Sequence, residues 1–144
     1  MKNYLTNSDS ETIKLGEDFA KKLEDGDVVM LTGDLGAGKT TFVQGIAKGL
    51  GIKDRILSPT FVLVRNHKVD SKKFDTLSHI DLYRIEGQEN LEKLGILEFI
   101  TSENSVTIIE WAEKITDFIP AKGYRINFVY LDENKREINI EDYE

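Results

Sequence analysis

The chain has 144 residues, no cysteine, and 26 Asp and Glu against 19 Lys and Arg, which gives a formal net charge of −7. The lack of cysteine excludes disulfides, thiolate catalysis and cysteine-built zinc sites, and the acidic balance argues against direct binding of a polyanion. No apolar run approaches a membrane span and no signal-peptide pattern is present, so we expect a soluble cytoplasmic protein with one domain over residues 1–144.

The N-terminal part of the chain predicts an edge strand followed by a helix. Residues 3–6 are the candidate strand. Ser8 and Glu11 form a Ser-x-x-Glu capping box, and an apolar stripe with helical spacing follows it. Gly26 is the expected end of this helix.

The stretch from residue 28 to residue 50 predicts a nucleotide site. Residues 28–31 are continuously apolar, as a buried parallel strand requires, and residues 40–50 carry apolar side chains near helical spacing. Between them the chain matches G-x-x-x-x-G-K-T, in which glycines let successive backbone N–H groups point at phosphate oxygens. Lys39 is placed to reach the β- and γ-phosphates, and the Thr40 hydroxyl to bind Mg²⁺. The residues expected to bind the nucleotide are Asp34, Leu35, Gly36, Ala37, Gly38, Lys39, Thr40 and Thr41.

A short polar segment, Ser58-Pro59-Thr60, precedes the next apolar run. Pro59 fixes its own φ and biases Ser58 toward extended backbone, which presents Thr60 at the start of a strand. The segment is either a rigid turn or a switch loop in which the Ser58 or Thr60 hydroxyl senses the γ-phosphate or its Mg²⁺. The residues alone leave both interpretations open.

Residues 61–67 and 76–84 predict a β-hairpin. Alternation in the second run places His79 and Asp81 on one face and Ile80 and Leu82 on the other, so that one face is core and the other is polar. Asp81 either orients a water molecule near the metal or is a satisfied hairpin carboxylate. A histidine in such a strand is more often structural than catalytic, so His79 is expected to be structural.

Two short helices are predicted over residues 88–100, where the apolar pattern is interrupted at Gly95. The next apolar strand, residues 105–109, ends in Glu110. This carboxylate either holds Mg²⁺ through water or polarises the nucleophile, in place of the more usual aspartate, or it caps a helix over residues 111–115. Trp111 is expected to pack rather than to contact a cofactor, yet to report nucleotide binding by fluorescence.

The C-terminal part predicts an antiparallel hairpin formed by residues 124–131 and 136–140. Asn134-Lys135-Arg136-Glu137 has Glu where the guanine-reading N-K-x-D has Asp, and it fits a turn better than a base site.

Four motifs, in this order and spacing, resemble the TsaE (YjeE) family, the small ATPases of bacterial tRNA threonylcarbamoyladenosine synthesis. The motifs are Gly33-Asp34-Leu35-Gly36-Ala37-Gly38-Lys39-Thr40-Thr41, Ser58-Pro59-Thr60-Phe61, His79-Ile80-Asp81-Leu82-Tyr83-Arg84 and Ile109-Glu110-Trp111-Ala112-Glu113. The resemblance covers the chain from about residue 8 to about residue 140. Ala112 stands where many relatives have proline, a departure that touches no catalytic residue.

The resemblance implies an α/β fold of the P-loop NTPase kind, with a mainly parallel sheet flanked by helices. It implies that Thr40 and Glu110 share the Mg²⁺ of bound ATP, and that Thr60 and Asp81 lie beside the γ-phosphate. The expected catalytic residues are therefore Lys39, Thr60, Asp81 and Glu110. It also implies that the protein acts with TsaD and TsaB, and meets tRNA only through that complex. No arginine finger is evident beyond the candidate Arg84, so hydrolysis by the isolated protein is expected to be weak.

Two other functions fit a P-loop chain of this length. A small-molecule kinase is one, although such enzymes usually close an arginine-bearing lid over the transferred phosphate, and the five arginines here are isolated in sequence. A nucleotide-binding regulatory module without turnover is the other. It keeps the same site but makes Asp81 and Glu110 structural.

Overall fold

The structure is a computed structural model that describes residues 2–33, 36–53, 64–82, 103–114 and 122–143. In chain order its elements are β1 (Lys2–Thr6), α1 (Asp9–Ala20), β2 (Val28–Gly33), α2 (Lys39–Gly49), β3 (Val64–Lys68), β4 (Thr76–Asp81), β5 (Ser105–Glu110), a 3₁₀ helix (Ala112–Lys114), β6 (Gly123–Tyr130) and β7 (Arg136–Tyr143). No helix within these ranges is long and apolar enough to cross a membrane.

The strands form one seven-stranded sheet with the order β1-β7-β6-β2-β5-β4-β3. The four inner strands β6, β2, β5 and β4 pair in parallel, while β1, β7 and β3 are joined to them by antiparallel pairing. This confirms the predicted α/β fold, a mainly parallel centre with antiparallel hairpin strands at its flanks. The loops after β2, β4 and β5 therefore leave the sheet at the same end, where open α/β sheets hold their ligands.

Helices α1 and α2 pack against each other on one face of the sheet. The predicted N-cap is confirmed at the start of α1, where the Ser8 hydroxyl accepts a hydrogen bond of 3.1 Å from the backbone N–H of Glu11, which is the Ser8 half of the capping box. The two helices approach closely because Gly16 and Gly45 lie in the contact. A Cβ on Gly45 would lie 2.2 Å from the carbonyl oxygen of Ile13.

The expected end of α1 at Gly26 was wrong. The helix stops at Ala20, and the N–H groups of Lys21, Lys22 and Leu23 each donate to the carbonyl three residues earlier, which tightens the chain into turns. In this conformation Leu23 is buried in the helix-covered core. Gly26, at φ +87°, instead turns the chain into β2.

Strand β4 differs from the expectation of one apolar and one polar face. All residues from Leu77 to Leu82 are buried, including His79 and Asp81. The strand lies inside the sheet between β5 and β3, with Leu77 in the helix-covered core and Ile80 in a second cluster on the opposite face. The polar side chains of β4 thus lie within the protein, close to the end of β5.

Candidate nucleotide site

The predicted phosphate loop begins where β2 leaves the sheet at Gly33 and ends where α2 begins at Lys39. Gly33 has φ +129°, and a Cβ there would lie 2.3 Å from the carbonyl oxygen of Phe128 on the neighbouring strand β6. Gly38, at φ +98°, precedes the first turn of α2 and gives it no side-chain cap. The N–H groups of a first helical turn have no acceptor within the helix, so this turn is suited to bind an anion.

Lys39 is turned inward against its own loop. Its Nζ donates a hydrogen bond of 2.6 Å to the carbonyl oxygen of Gly33 and lies 3.7 Å from the centroid of the Trp111 ring. The side chain is 5% exposed, so the ammonium is largely removed from water. A carbonyl dipole and an aromatic face replace that hydration.

Trp111 follows β5 with φ +61°, a backbone conformation that bulky residues adopt only where the surroundings impose it. Its ring packs against the second cluster, as the sequence led us to expect, but it also lines the cavity beside the phosphate loop. Trp111 therefore packs, as expected, and also lines the candidate site.

Glu110 connects the start of α2 to the interior of the sheet. Its Oε1 accepts a hydrogen bond of 3.2 Å from the Thr40 hydroxyl, and its Oε2 lies 2.5 Å from Nε2 of His79. The glutamate is 3% exposed. Neither partner is a helix N–H, so these contacts favour a role at the phosphate loop over the capping of residues 111–115, where a 3₁₀ helix occupies Ala112–Lys114.

Asp81 is the register partner of Glu110, at the ends of the parallel strands β4 and β5. The backbone N–H of Leu82 donates 3.1 Å to the carbonyl of Glu110, which fixes the two strand ends side by side. Because paired residues in a sheet project from the same face, both carboxylates face the side on which α2 begins. The structure thus brings together Lys39, Thr40, Glu110 and, on the adjoining strand, Asp81.

Two residues that the sequence reasoning did not single out complete the surroundings of the loop. The Oε2 atom of Glu113 accepts a hydrogen bond of 3.1 Å from the N–H of Gly33. Arg136 lines the same cavity, where its guanidinium donates to the carbonyls of Asp132 and Lys135 and lies 4.5 Å from the Tyr130 ring. Glu113 lies in one of the four motifs quoted from the sequence, but no pattern in the sequence around Arg136 indicates that it lines a site.

The cavity at this end of the sheet has a volume of about 310 Å³. Its walls are formed by the phosphate loop, the first turn of α2, the end of β5 and the two chain segments that flank them: Asp9, Gly36, Gly38, Lys39, Thr40, Thr41, Glu110, Trp111 and Arg136. Lys39 and Arg136 bring positive charge to the cavity, Asp9 and Glu110 bring carboxylates, and Thr40 brings a hydroxyl.

The donor set fits Mg²⁺. Mg²⁺ binds oxygen ligands at about 2.1 Å in octahedral geometry, so two adjacent ligands lie about 3.0 Å apart. The 3.2 Å between Thr40 Oγ1 and Glu110 Oε1 matches this separation closely. Among the described residues no group of three or more His, Asp or Glu side chains is arranged to hold a metal, but Mg²⁺ at nucleotide sites commonly takes one or two protein ligands and completes its shell with phosphate and water.

Several predicted residues lie outside the described ranges. They are Asp34 and Leu35 of the phosphate loop, Ser58 and Thr60 of the possible switch segment, Arg84, and the two helices expected within residues 88–100. The roles proposed for them stay predictions.

Comparisons with known proteins identify the family of this chain. A profile of the family described as "Threonylcarbamoyl adenosine biosynthesis protein TsaE" matches residues 6–138. The tRNA threonylcarbamoyladenosine biosynthesis protein TsaE of Rickettsia bellii is 37% identical over 94% of this chain and 92% of its own length. The protein of that name from Aquifex aeolicus is 38% identical, over 97% of this chain and 96% of its own length.

A solved structure agrees with the fold described above. The crystal structure of Bacillus subtilis YdiB superposes with a TM-score of 0.76 at 31% sequence identity, covering 99% of this chain and 86% of that one. The profile match, the near full-length relatives and this structural agreement together confirm the resemblance drawn from the four motifs. The chain belongs to the TsaE family of threonylcarbamoyl adenosine biosynthesis proteins.

Proposed function

We propose that this chain is a Mg²⁺-dependent ATPase that acts with TsaB and TsaD in the formation of N6-threonylcarbamoyladenosine in tRNA. ATP binding and hydrolysis would drive the multi-turnover cycle of that complex, in the cytoplasm. Family membership supports the tRNA modification role. The observation that carries the ATPase is the hydrogen bond between Thr40 and Glu110, which puts an acid from β5 at the first turn of the phosphate-loop helix.

The binding step follows from the charges around the cavity. The phosphates of ATP would lie on the loop from Asp34 to Thr41, with the N-terminus of α2 and the Lys39 ammonium supplying positive potential. Lys39 would exchange the Gly33 carbonyl for phosphate oxygens. Arg136, whose side chain lies beside Gly38, would add a second cation to the cavity.

Hydrolysis needs a group that orients water next to the γ-phosphate. Asp81 or Glu110, on adjacent strand ends, would accept a hydrogen bond from that water, with Thr60 as a further candidate; their register pairing supports this proposal. Mg²⁺, held by Thr40 and Glu110, would supply positive charge that offsets the charge on the phosphate oxygens. The rate without partners would be low, because the described residues place no second arginine at the cavity.

The acidic net charge of the chain supports an indirect relation to tRNA. A net charge of −7 repels a polyanion, so contact with tRNA would be made by the partner proteins. The remaining TsaB and TsaD functions, including the carbamoyl transfer itself, would not involve this chain.

The test combines three variants with purified TsaB and TsaD. Lys39→Ala is expected to abolish ATP binding, whereas Glu110→Ala and Asp81→Ala keep binding but lose hydrolysis and the formation of modified adenosine. Glu141→Ala, which removes an exposed acid from β7, is the matched control and is expected to behave as the unmodified protein. Phosphate release that is unchanged in both carboxylate variants would favour a regulatory module without turnover, and transfer of phosphate to a metabolite would indicate a kinase.

A further inference from the structure

We propose that His79 is a positioning residue that holds the Glu110 carboxylate in the orientation needed for Mg²⁺. This inference rests on the proposed function, in which Glu110 and Thr40 hold the metal. The proposed function assigns no role to His79 itself.

The contact is short and shielded from water. His79 is fully buried and Glu110 is 3% exposed, and Nε2 of the imidazole lies 2.5 Å from Oε2 of the carboxylate. With an N–H at Nε2, the imidazole would donate to the Glu110 carboxylate, whose oxygens accept. The two carboxylate oxygens thereby have separate partners, His79 for Oε2 and Thr40 for Oε1.

The separate partners fix a torsion that is otherwise loose. Rotation about the last bond of a glutamate side chain is broad and roughly two-fold, so a carboxylate with one partner can present either oxygen at a range of angles. With His79 holding Oε2, Oε1 of Glu110 points to Thr40 at the separation that adjacent Mg²⁺ ligands require. Partners of metal-binding carboxylates typically contribute a factor of about 10–100 in metal affinity.

Packing alone does not account for a histidine at this position. Nδ1 of His79 is buried and has no hydrogen-bond partner among the described residues. A buried polar atom without a partner destabilises the folded state, and an apolar side chain of similar volume would avoid that cost. The contact of the other ring nitrogen with Glu110 is what an apolar residue could not replace.

Three substitutions separate positioning from packing. His79→Leu fills the volume without a donor, His79→Asn keeps polarity but is too short to reach Glu110, and His79→Gln keeps an N–H donor of similar reach. The matched control is Ser78→Ala. Ser78 precedes His79 on the same strand and projects from the opposite face, and its hydroxyl donates a 2.8 Å hydrogen bond to Asn66 that the substitution removes.

The measurement is ADP binding, followed by the fluorescence of Trp111, the only tryptophan, at a series of Mg²⁺ concentrations. His79→Leu and His79→Asn are expected to raise, about 10-fold or more, the Mg²⁺ concentration at which the Mg²⁺-dependent gain in ADP affinity is half-maximal. ADP affinity in EDTA stays unchanged, and His79→Gln remains within about 3-fold of the unmodified protein. Thermal melts identify any variant that fails to fold, and the Asn and Gln pair still decides the question if the Leu variant does.

The result that would overturn the proposal is a folded His79→Asn variant with unchanged Mg²⁺ dependence, or one whose shift equals that of Ser78→Ala. Glu110→Gln in the same titration distinguishes the two levels of inference. If it leaves the Mg²⁺ dependence unchanged, the metal-binding role of Glu110 fails and the proposed function with it. If Glu110→Gln shifts the dependence and the His79 variants do not, only the positioning role fails.

Discussion

Gly45→Ala is expected to destabilise the protein, although alanine is the better helix former. In an exposed helix the change would stabilise by about 1 kcal/mol. Here the new Cβ would lie 2.2 Å from the carbonyl oxygen and 2.9 Å from the carbonyl carbon of Ile13 on α1, both backbone atoms that no rotamer change can move. Overpacking costs about 1–3 kcal/mol, and a backbone clash of this depth belongs at the upper end. The net destabilisation is about 2 kcal/mol, or roughly 6 °C in Tm for a chain of this size.

Thermal and urea unfolding followed by circular dichroism measure this difference. Lys48→Ala is the matched control on the same helix, since it removes only a 3.8 Å ion pair between Lys48, which is mostly exposed, and Glu17. We expect it to change stability by less than about 0.5 kcal/mol. A Gly45→Ala protein as stable as the unmodified one would show that α1 and α2 are not in the close contact described here.

Three further changes test other parts of the structure. Glu113→Ala leaves the Gly33 N–H without its acceptor, at about 1–3 kcal/mol, and should lower both Tm and nucleotide affinity, while Glu113→Gln keeps most of both. Arg136→Ala should weaken ATP binding about 10-fold or more in a fluorescence titration, because one cation leaves the cavity wall. Burial raises the pKa of Asp27, so its ionised form is disfavoured in the folded protein. The folded protein is therefore most stable while Asp27 is protonated, and it loses stability as pH rises through the pKa of Asp27. Urea unfolding should find Asp27→Asn more stable than the unmodified protein at pH 7, with no difference below about pH 4. Equal stability of the two proteins at pH 7 would contradict the last of these, and unchanged affinities would contradict the first two.

The features that sequence predicted well are those with local causes. The N-cap at Ser8 and the turn from β2 into α2, with positive φ at Gly33 and Gly38, depend on a few consecutive residues. The turn from Asp132 to Lys135 is of the same kind, since the Asp132 carboxylate accepts hydrogen bonds from the N–H groups of Asn134 and Lys135. Short-range hydrogen bonding of this type acts on any chain that carries these residues in this order.

The features that sequence did not reveal depend on which strands become neighbours. Glu113 reaches Gly33 only because β5 pairs with β2, and Arg136 reaches the cavity only because β7 lies two strands from β2. The contact of His79 with Glu110 likewise requires β4 beside β5. Spacing along the chain does not determine such pairings, so the contacts of these three residues could not be predicted before the structure, although His79 and Glu113 lie in motifs quoted from the sequence.

The fourth place of β2 among seven strands has a consequence for how the protein opens. Exchange of backbone protons with solvent should be fastest in the outermost strands and slowest in Val29, Met30 and Leu31, whose ladders are shared with neighbours on both sides. The backbone that anchors the loop would thus be among the last to melt, and fraying at the margins of the sheet would leave it in place.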